Sequence, residues 1–295
     1  MPAKEFIVQQ EMEIFKYLLS LGFKRTRVKQ LMKYRGVLVN GKTVVRHDHL
    51  LFPGDRVSLS SEKKTGADIE PKLGIRILYE DDALLVIDKP AGLLTISTEK
   101  EKTKTAYFQV NDYLRERNPD KRERAFIVHR LDRETSGLIV FAKTEAVKRR
   151  LQDAWDDVEK HYLAVVEGVP EKQEDTIAGY LNESSTLRVY ESKDAVNSKY
   201  AVTKFSVPKS SREHALLEVT IMTGRKHQIR VHLAGVGHPV AGDRKYGAET
   251  DPLKRLGLHA YRLSFTHPVT KKRISFESKP PHTFDAIMKH MKSWI

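Results

Sequence analysis

A charged segment between two apolar runs most strongly constrains how this chain can fold. Residues 129–137 read His-Arg-Leu-Asp-Arg-Glu-Thr-Ser-Gly, and the five residues that follow, 138–142, are uniformly apolar. Two further apolar residues, Ile127 and Val128, precede the segment. The apolar run predicts a strand. We therefore expect a rigid sheet to hold the charged segment at both ends, an arrangement common for functional loops.

Asp132 stands inside this segment between the guanidinium groups of Arg130 and Arg133. Nearby positive charge favours the ionised carboxylate, so the sequence predicts a lowered pKa for Asp132. A low pKa suits a nucleophile better than a general acid, which needs a raised one. Taken alone, an Asp before Thr-Ser-Gly is usually a turn or cap residue bonded to its own backbone.

The charge of the whole chain indicates a polyanionic partner. Its 295 residues carry 52 Lys and Arg against 39 Asp and Glu, a formal net charge of +13. Such an excess attracts nucleic acid in a salt-sensitive way, although charge alone also fits an anionic membrane surface. The length suffices for two domains, and the hydrophobic share of 40% suffices for a packed core.

Other features favour a cytoplasmic protein. The chain has no cysteine, which excludes disulfides, Cys-ligated zinc and thiol nucleophiles and agrees with a reducing compartment. Residues 1–10 lack the apolar core of a signal peptide, and apolar runs such as 84–87 are too short to span a bilayer. We therefore expect no membrane partner.

Residues 11–60 predict a small N-terminal module that opens with two helices. Apolar residues at helical spacing indicate a helix over 12–19, which Gly22 can end. Thr26 can cap a second helix, which should end before Gly36.

A hairpin is expected to follow these helices. Asn40-Gly41 suits a tight turn between the strand runs 37–39 and 43–45. A last strand is expected over 56–59 after a Pro-Gly-Asp turn. The polar, turn-rich residues 61–72 then predict a linker.

The second domain, residues 73–295, is predicted to be α+β. Strand-like runs outnumber helical ones, which favours a mostly antiparallel sheet. The strand runs lie at 75–79, 84–87, 138–142, 162–166, 200–205, 216–222, 258–265 and 273–276, and the helical patterns at 106–117, 145–154 and 227–234.

Four further segments of this domain could carry chemistry. They are Asp-Lys-Pro-Ala-Gly-Leu-Leu at 88–94, the alternating run 160–168 around Tyr162, Met-Thr-Gly-Arg-Lys-His-Gln-Ile-Arg-Val-His at 222–232, and 258–268. In the segment 222–232, the turn into the helix presents free backbone N–H groups and basic side chains that attract anions. Its two His residues stand five apart without a carboxylate nearby, so we predict no metal site. A Tyr in a strand is, taken alone, more often a core residue.

With residues 129–137, these four segments stand in the order seen in RluA-type pseudouridine synthases, which the chain closely resembles over about residues 73–280. One departure is Thr95-Ile96-Ser97, where members of the family often have a His-Pro pair. Residues 11–60 resemble an S4-type RNA-binding module, without its usual Arg-Leu-Asp opening. The resemblance implies an RNA isomerase that needs no cofactor. The absence of a Walker A sequence and of a glycine-rich dinucleotide fingerprint agrees with this.

The resemblance also implies roles for individual residues. Asp132 would be the essential catalytic carboxylate, Tyr162 would stack on the target base, and Arg225 would pair with Asp132. Substrate contacts are expected for His129, Lys89, Leu258 at the base edge, and Arg130 in the space left by a flipped nucleotide. RNA contacts are expected for seven basic residues: Lys24, Arg25, Arg27, Lys29, Lys33, Arg35 and Lys226.

Several alternatives remain open on the sequence. The RNA target is expected to be structured ribosomal RNA, 23S above all, with transfer RNA possible. The protein could instead be a ribosome-associated RNA-binding factor without catalysis, or a hydrolase that releases a free base. A monomer is the starting expectation for its assembly. An aspartate that attacks the sugar or the base and one that assists proton removal fit the sequence equally well.

Overall fold

The computed structural model describes most of the chain, namely residues 4–33, 36–44, 46–59, 75–117 and 123–293. The chain divides between residues 69 and 70 into two compact units. The linker expected at 61–72 and the candidate contact Arg35 lie outside the described residues. Within those residues, every helix is too short or too polar to cross a bilayer.

The N-terminal unit consists of two helices and short strands. Its elements are β1 (Lys4–Ile7), β2 (Met12–Glu13), α1 (Ile14–Ser20), α2 (Arg25–Lys33), β3 (Val37–Val39), β4 (Lys42–Thr43), β5 (Leu50–Leu51) and β6 (Arg56–Leu59). One sheet has the order β1-β6-β3-β4, and β2 pairs with β5. Because β1 pairs with β6, this sheet begins before residue 11, where the module was expected to start. Its core is formed by apolar side chains of both helices and the strands, among them Ile14, Leu18, Val28 and Met32.

Local sequence determines the turns of this unit well. Asn40 and Gly41 have φ angles of 49° and 78°, the left-handed pair that a primed two-residue turn requires, and β3 and β4 pair across them. Gly22, with φ of 86°, follows the end of α1. The expectation for Thr26 was wrong, because α2 begins at Arg25 and Thr26 lies inside the helix rather than capping it.

The second unit contains twelve strands and four α-helices in its described residues. The strands are β7 (Arg76–Glu80), β8 (Leu84–Lys89), β9 (Phe126–Ile127), β10 (Ser136–Ala142), β11 (Glu159–Glu167), β12 (Glu174–Glu183), β13 (Val189–Ser192), β14 (Lys199–Ser210), β15 (His214–Ile221), β16 (Leu258–Thr266), β17 (Arg273–Glu277) and β18 (Lys292–Ser293). The helices are α3 (Ala106–Arg117), α4 (Glu145–Asp153), α5 (Gln228–Gly235) and α6 (His282–Met288).

These strands form one large mixed sheet, so the α+β prediction is confirmed. The strand order is β13-β12-β14-β15-β11-β16-β10-β8-β7, and β9, β17 and β18 pair at its sides. In the described ranges, β10 and β16 form the one parallel pair and every other strand pair is antiparallel. Strands β12 and β13 and helix α6 were not predicted from the sequence.

The junction of β10 with β16 fixes the end of the charged segment. All seven residues of β10 are buried, as its apolar run requires. Gly137 has a φ of 115°, and a Cβ placed there would lie 2.1 Å from the carbonyl oxygen of Ala260. Only glycine allows so close an approach of two backbones. The start of β10 is thereby locked against the start of β16.

A buried polar network reinforces the same junction. The Ser136 hydroxyl accepts a hydrogen bond from the Arg255 guanidinium (2.7 Å) and lies 2.8 Å from Nδ1 of His259. The other ring nitrogen of His259 lies 3.1 Å from the carbonyl oxygen of Ser278. Buried polar groups that are fully bonded make a rigid, specific arrangement.

Helix α5 covers the other side of the candidate site. Its residues Ile229 and Leu233 pack in a core cluster with Phe205 and Val219 of the sheet, and Tyr162 packs against that cluster. Helix α5 and strand β11 therefore bring polar side chains to one place, near the start of β10.

Candidate active site

One cleft brings together five of the residues predicted from the sequence. Asp132 and Arg130 of the charged segment, Tyr162 of β11, Leu258 of β16 and Arg225 of the turn before α5 all line it. Its open volume is about 460 Å³, solvent included.

The backbone of Asp132 is held on both sides. Its own carbonyl accepts the N–H of Thr135 (3.2 Å), which makes a turn. The preceding residue, Leu131, is bound at both backbone groups by the buried Thr95 hydroxyl, which donates to its carbonyl (2.7 Å) and accepts from its N–H (3.2 Å). Thr95, which stands where the family often has a His-Pro pair, therefore positions the charged segment.

Lys89 holds the backbone of the charged segment and of the turn after β8 by hydrogen bonds. Its side chain is fully buried, and its ammonium donates to the carbonyls of Pro90 (2.9 Å), Leu93 (2.8 Å) and Arg133 (3.1 Å). Burial lowers its pKa to about 7, while the charges of Glu134 and Asp132 act in the opposite direction. The expected substrate contact of Lys89 is therefore corrected: all three of its donors are engaged on the backbone.

His129 also has a structural position. Its Nε2 accepts the backbone N–H of Val140 (3.1 Å), and its ring lies 4.6 Å from that of Trp155. Burial, followed by the charge of Lys160, lowers the pKa of His129 to about 3, so the ring is neutral. This arrangement joins the segment to β10; His129 is not among the residues that line the cleft, and its substrate contact stays a prediction.

The ionic partner of Asp132 is Arg230, which corrects the expectation for Arg225. Nη1 of Arg230 lies 3.5 Å from Oδ2 of Asp132. Nε of Arg225 instead donates to the carbonyl of Tyr200 (3.1 Å), and its backbone N–H donates to Oε1 of Gln228 (3.0 Å). Arg225 stays at the exposed rim of the cleft, whereas Arg230 points into it from the first turn of α5.

Arg230 is fixed by two residues that the sequence did not single out. Its Nε and Nη2 donate to the two carboxylate oxygens of Asp243 (2.6 and 2.7 Å), and both side chains are buried. Its guanidinium carbon lies 5.0 Å from the centre of the Tyr246 ring. Asp243 and Tyr246 follow α5 in a Gly-Asp-Arg-Lys-Tyr-Gly loop, where no periodic pattern marks them.

The pKa of Asp132 is raised, in contrast to the lowered value expected from its arginine neighbours. Loss of solvation in the cleft is the largest cause, and it outweighs the charges of Arg230, Arg130 and Lys89, which act to lower the pKa. The other expected neighbour, Arg133, donates from Nε to the carbonyl of Gly92 (3.0 Å). The two arginines next to Asp132 in the sequence therefore did not predict the direction in which its pKa is shifted.

Tyr162 reaches the cleft through an irregularity in its strand. The pairing of β11 with β16 shifts register between His161 and Tyr162, which is typical of a β-bulge that re-aims a side chain. The Tyr162 ring packs against the core cluster beneath α5 and also lines the cleft. Burial and then the Asp132 charge raise the pKa of its hydroxyl, so Tyr162 is uncharged.

The remaining candidates lie outside the cleft. The Lys226 ammonium pairs with Glu183. In the N-terminal unit, Lys24, Arg25, Arg27 and Lys29 are exposed on or just before α2. Lys33 ends that helix, and its side chain is outside the described residues. The described ranges contain no group of three or more His, Cys, Asp or Glu placed to hold a metal ion.

Comparison with known proteins identifies the family of the chain. The model of the family described as RNA pseudouridylate synthase matches residues 83–235. The chain belongs to the RNA pseudouridine synthase family. It is therefore an isomerase that converts uridine in RNA to pseudouridine, as the sequence resemblance predicted.

Its relatives match along most of their length. An uncharacterized RNA pseudouridine synthase of Mycoplasma pneumoniae is 33% identical in an alignment of 279 positions that covers 90% of this chain and 87% of that protein. The ribosomal large subunit pseudouridine synthase D of Vibrio cholerae is 33% identical over 89% of this chain and 85% of its own. The solved structure of human RNA pseudouridylate synthase domain containing 4 has a TM-score of 0.60 and 26% identity, over 73% of this chain and 93% of that one. The synthase thus shares both its fold and its family with enzymes of this reaction.

Proposed function

We propose that this synthase isomerises uridines in structured RNA, large-subunit ribosomal RNA above all, with Asp132 as its essential carboxylate and with the target nucleotide flipped out of its stack. One observation carries the proposal: the cleft holds a single carboxylate, Asp132, beside the ring of Tyr162 and the fixed guanidinium of Arg230. No other carboxylate lines this cleft in the described part of the chain. A water-activating carboxylate pair, as in ordinary glycoside hydrolysis, has no counterpart there.

The reaction needs one such group and no donor molecule. The bond between N1 of uracil and C1′ of ribose breaks, a bond from C5 to the same C1′ forms, and the C5 proton is replaced by a proton at N1. Attack on C1′ or on the base and removal of the C5 proton all require the ionised carboxylate. Arg230 supplies a nearby positive charge that favours this form.

The depth of the site supports base flipping. The side chain of Asp132 is only 23% exposed, at the bottom of a cleft bordered by Arg130 and Arg225. A uridine stacked in a helix cannot bring its C1′ there, so the nucleotide must leave the stack, at a cost of a few kcal/mol. The exposed Arg130 guanidinium, which can stack and hydrogen-bond at once, is suited to the vacated space.

Positive charge around Tyr246, which contacts the cleft residues His227 and Arg230, supports RNA as substrate. The Arg188 guanidinium and the Lys245 ammonium lie 5.8 and 5.9 Å from the centre of the Tyr246 ring. Both residues are exposed, and neither forms an ion pair within the described residues. Exposed cations near the cleft suit the phosphates next to the flipped nucleotide. The basic helix α2 of the N-terminal unit, in the segment that resembles an S4 module, is proposed as a second RNA contact.

The ribosomal target is favoured by the relative from Vibrio cholerae, whose name assigns it to the large ribosomal subunit. Transfer RNA is the alternative target. Either substrate places the enzyme, in our proposal, in the cytoplasm. Pseudouridine maps of total RNA from cells with and without the protein distinguish the two, because the missing sites lie in one RNA class or the other.

The role of Asp132 is tested with purified protein. Wild-type enzyme should form pseudouridine in a transcript that carries the mapped site, and Asp132→Asn should form none while binding that transcript with similar affinity. An active Asp132→Asn variant contradicts the proposal. Free uracil in the wild-type reaction would show a hydrolase instead.

A further inference from the structure

A series of contacts leads from the buried Tyr246 phenol through His227 to the Asp132 carboxylate, and neither Tyr246 nor His227 has a role in the mechanism above. Nδ1 of His227 lies 2.6 Å from the hydroxyl oxygen of Tyr246. Nε2 of the same ring lies 3.7 Å from Oδ2 of Asp132. The imidazole therefore bridges a buried phenol and the proposed essential group.

Tyr246 determines which ring nitrogen carries the proton. Its hydroxyl oxygen already accepts the backbone N–H of Val189 (3.3 Å). The phenol has one proton to donate, and among the described residues Nδ1 of His227 is the acceptor in reach. The hydroxyl donates to Nδ1, and a neutral imidazole in this contact carries its proton on Nε2.

The surroundings keep this imidazole neutral. Burial lowers the pKa of His227 to about 3, and the positive charges of Arg230, Lys245 and Lys226 act in the same direction. At physiological pH, His227 therefore presents one N–H group, without a positive charge, towards Asp132.

The backbone also directs the ring. His227 precedes α5 with a φ of 53°, in the left-handed region that residues other than glycine seldom adopt. Strained conformations of this kind are retained mainly where the surrounding structure or the function requires them. Here the conformation places the ring between Tyr246 and the cleft.

We propose that His227 is a positioning residue for Asp132: Tyr246 holds its proton on Nε2, and that N–H donates to Oδ2 of Asp132 once a nucleotide occupies the cleft. The distance of 3.7 Å is too long for a hydrogen bond in the empty site. Catalytic hydrogen bonds are often long before substrate binds and shorten in the complex. The inference rests on the proposed role of Asp132.

The expected consequence is a shift in the pH dependence. A donor to the charged carboxylate favours ionisation, so its loss raises the pKa of Asp132 further and activity falls at a higher pH. The other charged or titratable groups that face Asp132 or His227 are Arg130, Lys89, Arg230, Tyr162, Asp243, Glu183, Lys226, Lys245 and Tyr246. None of them is changed in the decisive pair of variants.

Two substitutions of His227 distinguish the loss of its N–H donor from a change in side-chain volume. In His227→Gln the amide nitrogen reaches the place of Nε2, whereas in His227→Asn it lies near the place of Nδ1 and faces Tyr246. The readout is the single-turnover rate of pseudouridine formation between pH 5 and 9. We expect His227→Gln to stay near wild type. His227→Asn should lose about tenfold at neutral pH, the worth of one charge-assisted hydrogen bond, with its acid limb moved to higher pH.

Stability provides an independent control. Asn tolerates a left-handed φ better than Gln, so His227→Asn should unfold at an equal or higher temperature while being the slower enzyme. Tyr246→Phe, which keeps the ring beside Arg230 but removes the hydroxyl, should shift the acid limb in the same direction as Asn.

The inference is overturned if His227→Gln and His227→Asn have equal single-turnover rates and lose activity at the same acidic pH. That result differs from a failure of the proposed function, in which wild type is inactive or Asp132→Asn remains active.

Discussion

The carboxylate of Asp132 lies where loss of solvation and positive charge act in opposite directions on its pKa. Burial is the larger cause and raises the pKa, whereas the charges of Arg230, Arg130 and Lys89 favour the ionised form needed for chemistry. The same features give this residue a distinctive response to pH and to substitution.

The acid limb of the reaction should therefore lie above the range of an ordinary aspartate. Because the pKa of Asp132 is raised, protonation begins at a higher pH, and the rate falls as the pH drops through that value. Single-turnover rates on the mapped transcript check this. An acid limb near the usual aspartate pKa, about 4, would contradict it.

Asp132→Asn should not reduce stability at neutral pH. The folded-state pKa of Asp132 exceeds its unfolded value, so the group favours folding below the unfolded pKa. That contribution is lost as the pH rises through the folded pKa, and at neutral pH the buried charge is unfavourable. The amide removes this cost. Thermal unfolding of both proteins at pH 7 tests the prediction, and a clearly lower melting temperature for the variant would refute it.

Asp243 should matter for stability far more than an exposed carboxylate. It holds Arg230 with two short bonds in a buried pair, so Asp243→Asn leaves a buried guanidinium poorly compensated, at a cost of about 3–5 kcal/mol. Glu159→Gln is the matched control, because Glu159 pairs with Arg273 at the surface and should change stability by about 0–1 kcal/mol. Urea unfolding measures both. Similar losses for the two variants would show that the buried pair is not special.

Sequence reasoning named residues that the structure brings together in one cleft, and it misassigned the ionic partner of Asp132. Arg225 and Arg230 stand five residues apart in one motif, and either could have paired with Asp132 on charge alone. Arg225 comes before the left-handed residue His227 and Arg230 lies in the first turn of α5 after it, and it is Arg230 that lies beside Asp132. Asp243 comes thirteen residues after Arg230 in an irregular loop, so its contact is a product of tertiary folding.

At the level of secondary structure, local signals explain what could be predicted. Helix α3 was expected at its observed bounds because its apolar periodicity is regular. The β3–β4 hairpin was predicted from Asn40-Gly41, because these two residue types adopt left-handed angles without tertiary contacts. Strands β12 and β13 carry mixed polar residues near the sheet edge, half exposed, so neither alternation nor an apolar run marks them.

The contact between β10 and β16 offers a test of this packing. Gly137→Ala would place a methyl group 2.1 Å from the Ala260 carbonyl oxygen at a positive φ. We expect a loss of about 3 kcal/mol or more, since overpacking costs about 1–3 kcal/mol and the backbone angle about 1–2 kcal/mol. Gly179→Ala in β12 is the control, because a Cβ there meets no atom within 4 Å. Should Gly137→Ala be as stable as this control, the close approach of the two strands is wrong.

For the molecule as a whole, the net charge of +13 gives a general attraction for RNA, and its distribution decides where RNA binds. Arg188 and Lys245 beside Tyr246 are proposed to contact phosphates, whereas Arg212 is an exposed cation at the far end of β15 from the cleft. Eight residues of β15 at about 3.4 Å each place that end roughly 25 Å away.

This difference predicts distinct salt dependences for matched charge deletions. In an Asp132→Asn background, where bound RNA stays unmodified, Arg188→Gln should weaken binding and reduce the slope of log affinity against log salt by about 0.7–0.9, one phosphate contact. Arg212→Gln lowers the net charge of the protein by the same one unit and should leave the slope unchanged. Fluorescence titrations between 50 and 300 mM salt, about the range over which such slopes are resolved, measure both. Equal effects of the two substitutions would mean that net charge alone attracts the RNA, and the proposed phosphate contact beside Tyr246 would have to be abandoned.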